Sequence, residues 1–189
     1  LAFDLRNALR SLKPQARTAG LERRADSALS WAGDEPPVGG VLLLDTSVYL
    51  DVLQGRSPEA VDELLSYRLC HHSAVCLAEL THVFGRLDPA HATTKAVLKV
   101  VEDTIEDIPA HRLHAPDAIA WGRAGMLAGL SFRLTRLPTG QGHERRFLND
   151  ALIFHQAALL GATVLTGNIR DFDYLNQLVP SVRVIFYRC

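Results

Sequence analysis

Cysteine is scarce in this sequence: Cys70, Cys76 and Cys189 make an odd number, and no two form a CxxC pair. That excludes a disulfide framework and matches a reducing compartment, so a cytoplasmic protein is expected. Also missing is any apolar run near the roughly 20 residues that cross a bilayer, so no membrane role is expected. No basic, apolar and small-residue export pattern opens the chain, and Leu1 reads as a natural start that is missing or altered. Nor is there an excess of charge of one sign: 20 Lys and Arg stand against 21 Asp and Glu, a net charge of −1. A nearly neutral molecule has no overall field to draw in a polyanion, so any such ligand must be held by local contacts.

What is present suits one core. The chain has 189 residues, 48% hydrophobic and 22% charged. At this length a domain buries roughly 70% of the surface its unfolded chain exposes, and packing alone can hold it together. Residues 1–32 read as two helical pieces broken at Pro14, with apolar stripes through Leu5, Leu9 and Leu12, then Leu21, Leu29 and Trp31. A Gly- and Pro-rich linker at 33–40 follows. Residues 1–40 are thus a helical extension and linker, and 41–189 form the main domain.

Val41-Leu-Leu-Leu44 is a continuous apolar run ending at Asp45, the pattern of a strand buried on both faces. Ser57-Pro58 opens a helix to about Cys70, and Asp88-Pro89 opens another through Ile105. Ser73–Cys76 reads as a short strand feeding a helix that carries Glu79. Pro116 begins a helix to about Leu130, and Phe147–Leu160 forms another, stopped by Gly161. Between them, residues 131–146 read as a mobile positive loop carrying Arg133, Arg136, His143, Arg145 and Arg146 beside Pro138, Gly140 and Gly142. Two more strands are expected at Thr163–Thr166 and Val182–Phe186. Strands separated by helices imply right-handed crossovers, hence a three-layer α/β/α domain on a mainly parallel sheet.

Ligands of such sheets bind beyond the carboxyl ends of the strands. Asp45 stands at one end, and Asn168 and Asp171 follow another; Glu79 lies one turn into its helix and Asp150 in the first turn of its own. Four acids from four segments therefore approach one rim. Clustered carboxylates raise each other's pKa unless a cation neutralises them, and a hard divalent ion such as Mg²⁺ or Mn²⁺ takes oxygen ligands. Such an ion activates water and stabilises the oxyanions of phosphoryl transfer.

Each acid also has an ordinary reading. Asp45 before Thr46-Ser47 makes a helix cap, Glu79 a solvated surface acid, Asp150 a first-turn acid favoured by the helix dipole, and Asp171 a turn cap. Other motifs fail. His143-Glu144 lacks the second histidine of HExxH, Gly140-Gln-Gly142 lacks a third glycine, and Cys70-His71-His72 with Cys76 fits no zinc-finger spacing. Glu79-x-x-His82 is half of a di-iron pattern that needs two such pairs in a helix bundle.

Leu-Leu-Asp45-Thr46-Ser47-Val-Tyr-Leu, Ala78-Glu79-Leu80, Asn149-Asp150-Ala-Leu-Ile and Leu165-Thr166-Gly-Asn168-Ile-Arg-Asp171-Phe172 together resemble, in order and spacing, the motifs of PIN-domain nucleases. The similarity is greatest to VapC-type toxins of bacterial toxin–antitoxin pairs, and it covers about Val41 to Tyr187. The resemblance implies a PIN-like fold and a Mg²⁺-dependent ribonuclease that dimerises and is silenced by an antitoxin. It implies that Asp45, Glu79, Asp150 and Asp171 are metal-site acids, with Asp173 as an alternative to Asp171. Thr46, Ser47, Thr166 and Asn168 would orient them or the phosphate. Apart from the resemblance, the basic stretch with Arg133, Arg136, Arg145 and Arg146 can neutralise phosphate and is expected to contact RNA. The segment before residue 40 and the long stretch at 131–146 depart from the family pattern.

Two competing functions stand beside this one. A small-substrate phosphatase built on Asp45 would place a second Asp two residues on, where this chain has Ser47. A catalytically idle PIN-like module would act through a protein partner alone.

Overall fold

The computed structural model describes residues 3–136 and 143–189, apart from the side chain of His143. Asp4 starts helix α1 (Leu5–Leu12) by accepting the Asn7 N–H at 2.9 Å, and Lys13, in the left-handed conformation, closes it before Pro14. The second helical piece expected before residue 32 does not form. There the backbone donors turn outward to the domain: Leu21 N donates to Leu134 O (3.0 Å) and Arg24 N to Asp173 (2.9 Å). Three single 3-10 turns stand in its place, Pro14–Ala16, Asp26–Ala28 and Ala32–Asp34.

Strand β1 (Leu42–Leu44) is buried throughout and leads through Asp45 into α2 (Thr46–Leu53). Next, α3 (Glu59–Tyr67) starts after Ser57-Pro58 but stops short of Cys70, and the strand expected at 73–76 lies earlier, as β2 (Cys70–Ser73). Ser73 is the reason. Its hydroxyl accepts the Val75 N–H at 3.1 Å and so begins α4 (Ala74–Arg86) where the strand was expected to continue. After α5 (Thr94–Glu106) comes β3 (Leu113–His114), too short to leave any periodic signal in the sequence.

Helix α6 (Ala118–Thr135) is capped by Asp117 and runs past Leu130; α7 (His143–Leu160) begins before Phe147. Residues 131–135 and 143–146 are therefore helical rather than loop, because Leu130, Ser131 and Leu134 and then Phe147 continue the buried faces of the two packed helices. Pro138, Gly140 and Gly142 lie outside the described residues. β4 (Thr163–Thr166), α8 (Ile169–Leu178) and β5 (Val184–Phe186) complete the chain.

All five strands pair in parallel, in the order β3-β2-β1-β4-β5. From β1 the chain moves outward through β2 to β3, then returns to the other side of β1 for β4 and β5. Right-handed crossovers in opposite directions place α2–α5 on one face and α6–α8 on the other, the three-layer arrangement expected. The reversal opens a crevice between the carboxyl ends of β1 and β4, the position where open parallel sheets bind ligands. Fully buried Phe147, Phe154, Phe172, Leu152 and Leu165 fill the interior behind it. Among the described residues, no helix is long and apolar enough to cross a membrane.

Candidate active site

At the crevice, Asp45 does what a helix cap does and more. Its Oδ2 receives the Ser47 hydroxyl (2.6 Å), the Thr166 hydroxyl (2.8 Å) and, at longer range, the Ser47 N–H (3.4 Å). Oδ1 takes no hydrogen bond among the described residues. Ser47 Oγ in turn accepts the Gly167 N–H, and Thr166 Oγ1 the Asn168 N–H, both at 2.9 Å. The two turns that follow β1 and β4 are thereby tied together through two hydroxyls, and both act on one carboxylate.

The remaining acids are held in the same manner. Glu79, on α4, accepts the Thr46 hydroxyl at Oε2 and the Asn149 amide at Oε1 (2.6 Å). Asp150 lies two turns into α7, not in its first turn, because the helix starts at His143. The Asn168 amide nitrogen reaches both Asp150 Oδ2 (3.2 Å) and Asp171 Oδ2 (3.3 Å). Asp171, in the first turn of α8, also meets Arg170 Nε at 3.2 Å. Thus Thr46 contacts Glu79, Ser47 and Thr166 contact Asp45, Asn168 contacts Asp150 and Asp171, and Asn149 joins Thr46 at Glu79. Its position beside Asp150 in Asn149-Asp150-Ala was the available signal.

Burial is the main reason that Asp45 is pushed above the ordinary carboxylate range; hydrogen bonds from Ser47 and Thr166 offset part of it, and the Glu79 charge adds to it. Asp150 is pushed well above that range, first by burial and then by the charges of Asp45, Asp171 and Glu79, with Arg146 opposing. Asp150 is therefore the group at which the fields of the other three acids meet. Among the described residues, no three Asp, Glu, His or Cys side chains close into a ready-made metal cage. The acids are spaced by the hydroxyls and amides that bridge them.

Asp173 does not join this group. Its carboxylate, fully buried, takes Arg24 Nε (2.5 Å), Arg24 N (2.9 Å) and Gln177 Nε2 (2.9 Å). Arg133 also faces elsewhere, donating to the carbonyls of Pro14 (2.6 Å) and Arg17 (3.0 Å), while Arg136 ends α6 in the left-handed conformation. Arg145 and Arg146 stand exposed on the first turn of α7, one turn from Asn149 and Asp150. An open groove of about 480 Å³, lined in part by Glu79, Asn149 and Arg145, adjoins the acids. No motif or periodicity marked it in advance.

The parallel five-stranded sheet and its crevice define an α/β domain of PIN-like fold. Solved structures share it: the FitAcB complex of Neisseria gonorrhoeae matches with a TM-score of 0.54 and 23% identity over 76% of this chain and 96% of that one. The DNA-bound VapBC2 complex of Rickettsia felis matches at 0.53 and 15%, over 78% and 98%. The DNA-bound VapBC complex of Salmonella typhimurium matches at 0.51 and 21%, over 78% and 98%. No family model matches the sequence, and no curated protein does. The likeness is one of fold.

Proposed function

We propose that this chain is a Mg²⁺- or Mn²⁺-dependent endoribonuclease, the toxin of a toxin–antitoxin pair, acting in the cytoplasm as a homodimer and silenced by an antitoxin protein. The observation that carries the reading is the position of Asp150, buried at the crevice in the fields of Asp45, Glu79 and Asp171. The fold shared with VapBC and FitAB complexes supports the toxin assignment and the antitoxin partner.

The donor chemistry fits a hard cation. The four acids offer only oxygen, the Cys76 thiol beside them is turned to the Leu44 carbonyl, and the Oδ1 atoms of Asp45 and Asp150 carry no hydrogen bond among the described residues. Asp45 and Asp150 would hold the ion, with Glu79 and Asp171 beside them. When bound, it lowers the pKa of a coordinated water and offsets charge on the phosphate. Ser47 and Thr166 fix Asp45 Oδ2 and leave Oδ1 free. Asn168 keeps Asp150 and Asp171 side by side despite their repulsion, and Thr46 and Asn149 orient Glu79.

The test is cleavage of an RNA panel in Mg²⁺ or Mn²⁺. D45N and D150N should each lose at least about 100-fold in rate, the loss expected when a metal site or general base is removed. Cleavage at the parent rate by both variants would end the proposal. A second reading, a non-catalytic module that works through its protein partner, draws on the lack of a closed donor cage among the described residues. Calorimetry with Mn²⁺ separates the two: a titratable site that D150N abolishes supports the nuclease, and no binding by the parent supports the module.

A further inference from the structure

The chain has two tryptophans, and they differ in how they are used. Trp31 is anchored: its indole N–H donates to Asp26 O (2.9 Å), its ring lies 6.3 Å from that of Phe186, and the Arg188 guanidinium sits over it at 4.7 Å. Trp121, on α6, is half exposed and makes no such contact among the described residues. Yet Trp121 lines the groove that contains Glu79 and Asn149.

That groove is mixed in character. Ala78 and Trp121 give it apolar surface, Arg145 and His82 are its basic groups, and Glu79 and Asn149 join it to the acids. What sets Trp121 apart is its place: half of a large flat ring faces water on the wall of this groove, where it can meet the face of a planar group. The feature is continuous with a candidate phosphodiester-cleaving centre and has a cation on its wall. A nucleotide beside the scissile phosphate matches both: its base meets the ring and its phosphate meets the guanidinium.

We propose that Trp121 is a stacking platform for one base of a single-stranded RNA, with Arg145 holding the adjoining phosphate, so that the groove sets which nucleotide is placed next to the acids. This rests on the ribonuclease reading of the same crevice. Stacking tolerates every base, whereas the groove's limited volume and its polar edges at His82 and Asn149 discriminate among them. Trp121 is thereby a residue of substrate selection that the acid motifs do not include.

The experiment is fluorescence anisotropy of the full chain with labelled single-stranded RNA 8-mers in EDTA, where binding is read without cleavage. W121A should weaken binding roughly 10-fold and W121F by less, as expected for loss and partial retention of one stacked base. An abasic nucleotide walked along the 8-mer should reproduce the W121A loss at a single position in the parent and add nothing further in W121A. R145A should weaken binding and reduce its salt dependence.

Equal affinity of W121A and the parent would overturn the platform while leaving the nuclease intact, provided the parent still cleaves. A parent that neither binds nor cuts RNA would overturn both. A change in sedimentation of W121A with unchanged RNA affinity would make this face a contact between protein chains, which also overturns the platform.

Discussion

Arg24 Nε lies 2.5 Å from Asp173 Oδ1, an ion pair that fastens the N-terminal segment to the buried start of α8. The Arg24 N–H and Gln177 donate to the other oxygen, so both oxygens are held toward the N-terminal segment and α8. Asp173 is fully buried whereas Arg24 is partly exposed, so D173A costs mainly the hydrogen bonds that the Arg24 N–H and Gln177 lose, and it should lower stability by about 1 to 3 kcal/mol in urea unfolding. R24A, whose loss leaves the carboxylate alone inside, should act in the same direction.

Asp150 should behave in the opposite way. Buried against three other acids, it is held at a cost that an amide does not carry. D150N should raise stability in metal-free buffer at pH 7 by about 1 to 2 kcal/mol while abolishing cleavage, the usual exchange at a strained site. A D150N protein that melts at or below the parent temperature would show that the repulsion is relieved by other means.

His72 gives a pH dependence of defined sign. Burial, then the charges of His71, Arg112 and His114, lower it from 6.5 to about 4, with Tyr49 Oη 2.6 Å from its Nδ1. Between those values the unfolded chain takes up a proton that the native ring refuses. The contribution to stability is whole above pH 6.5 and is lost as pH falls toward 4. His72→Gln should flatten the fall in melting temperature across that window, without abolishing it, because His71 and His155 are lowered too.

Arg133 ties α6 to the carbonyls of Pro14 and Arg17. R133A should quicken limited proteolysis between residues 13 and 24 and leave RNA affinity near the parent value. An effect on RNA binding equal to that of R145A would return Arg133 to the nucleic-acid surface.

How much of this was legible in the sequence depended on how local each signal was. The Val41–Leu44 run marked a central strand because burial on both faces leaves an uninterrupted apolar string, and Thr163-Val-Leu-Thr166 marked its neighbour through β-branched residues following the Gly161 helix stop. The strand at Leu113–His114 left none, since two residues have no period. Asp45, Glu79, Asp150 and Asp171 were legible through their ordered motifs, and the structure links each to the expected hydroxyl and amide partners. The fate of Asp173 was not, because its partner lies 149 positions away. The residues from Leu21 to Trp31 had a helical apolar stripe, yet long-range hydrogen bonds to Leu134 and Asp173 outweighed that preference.

The bridge between Trp31 and Phe186 bears on the free edge of the sheet. Ser30 O accepts the Phe186 N–H at 2.8 Å, so the N-terminal segment lies along the outer edge of β5. An open edge of a parallel sheet is a template on which another chain can add a strand, and most proteins shield it with a charge, a bulge or a covering segment. Here the shield is the stretch that precedes the acid-bearing motifs. Cutting the chain back to residue 41 would bare that edge and leave its backbone groups open to pairing with another strand.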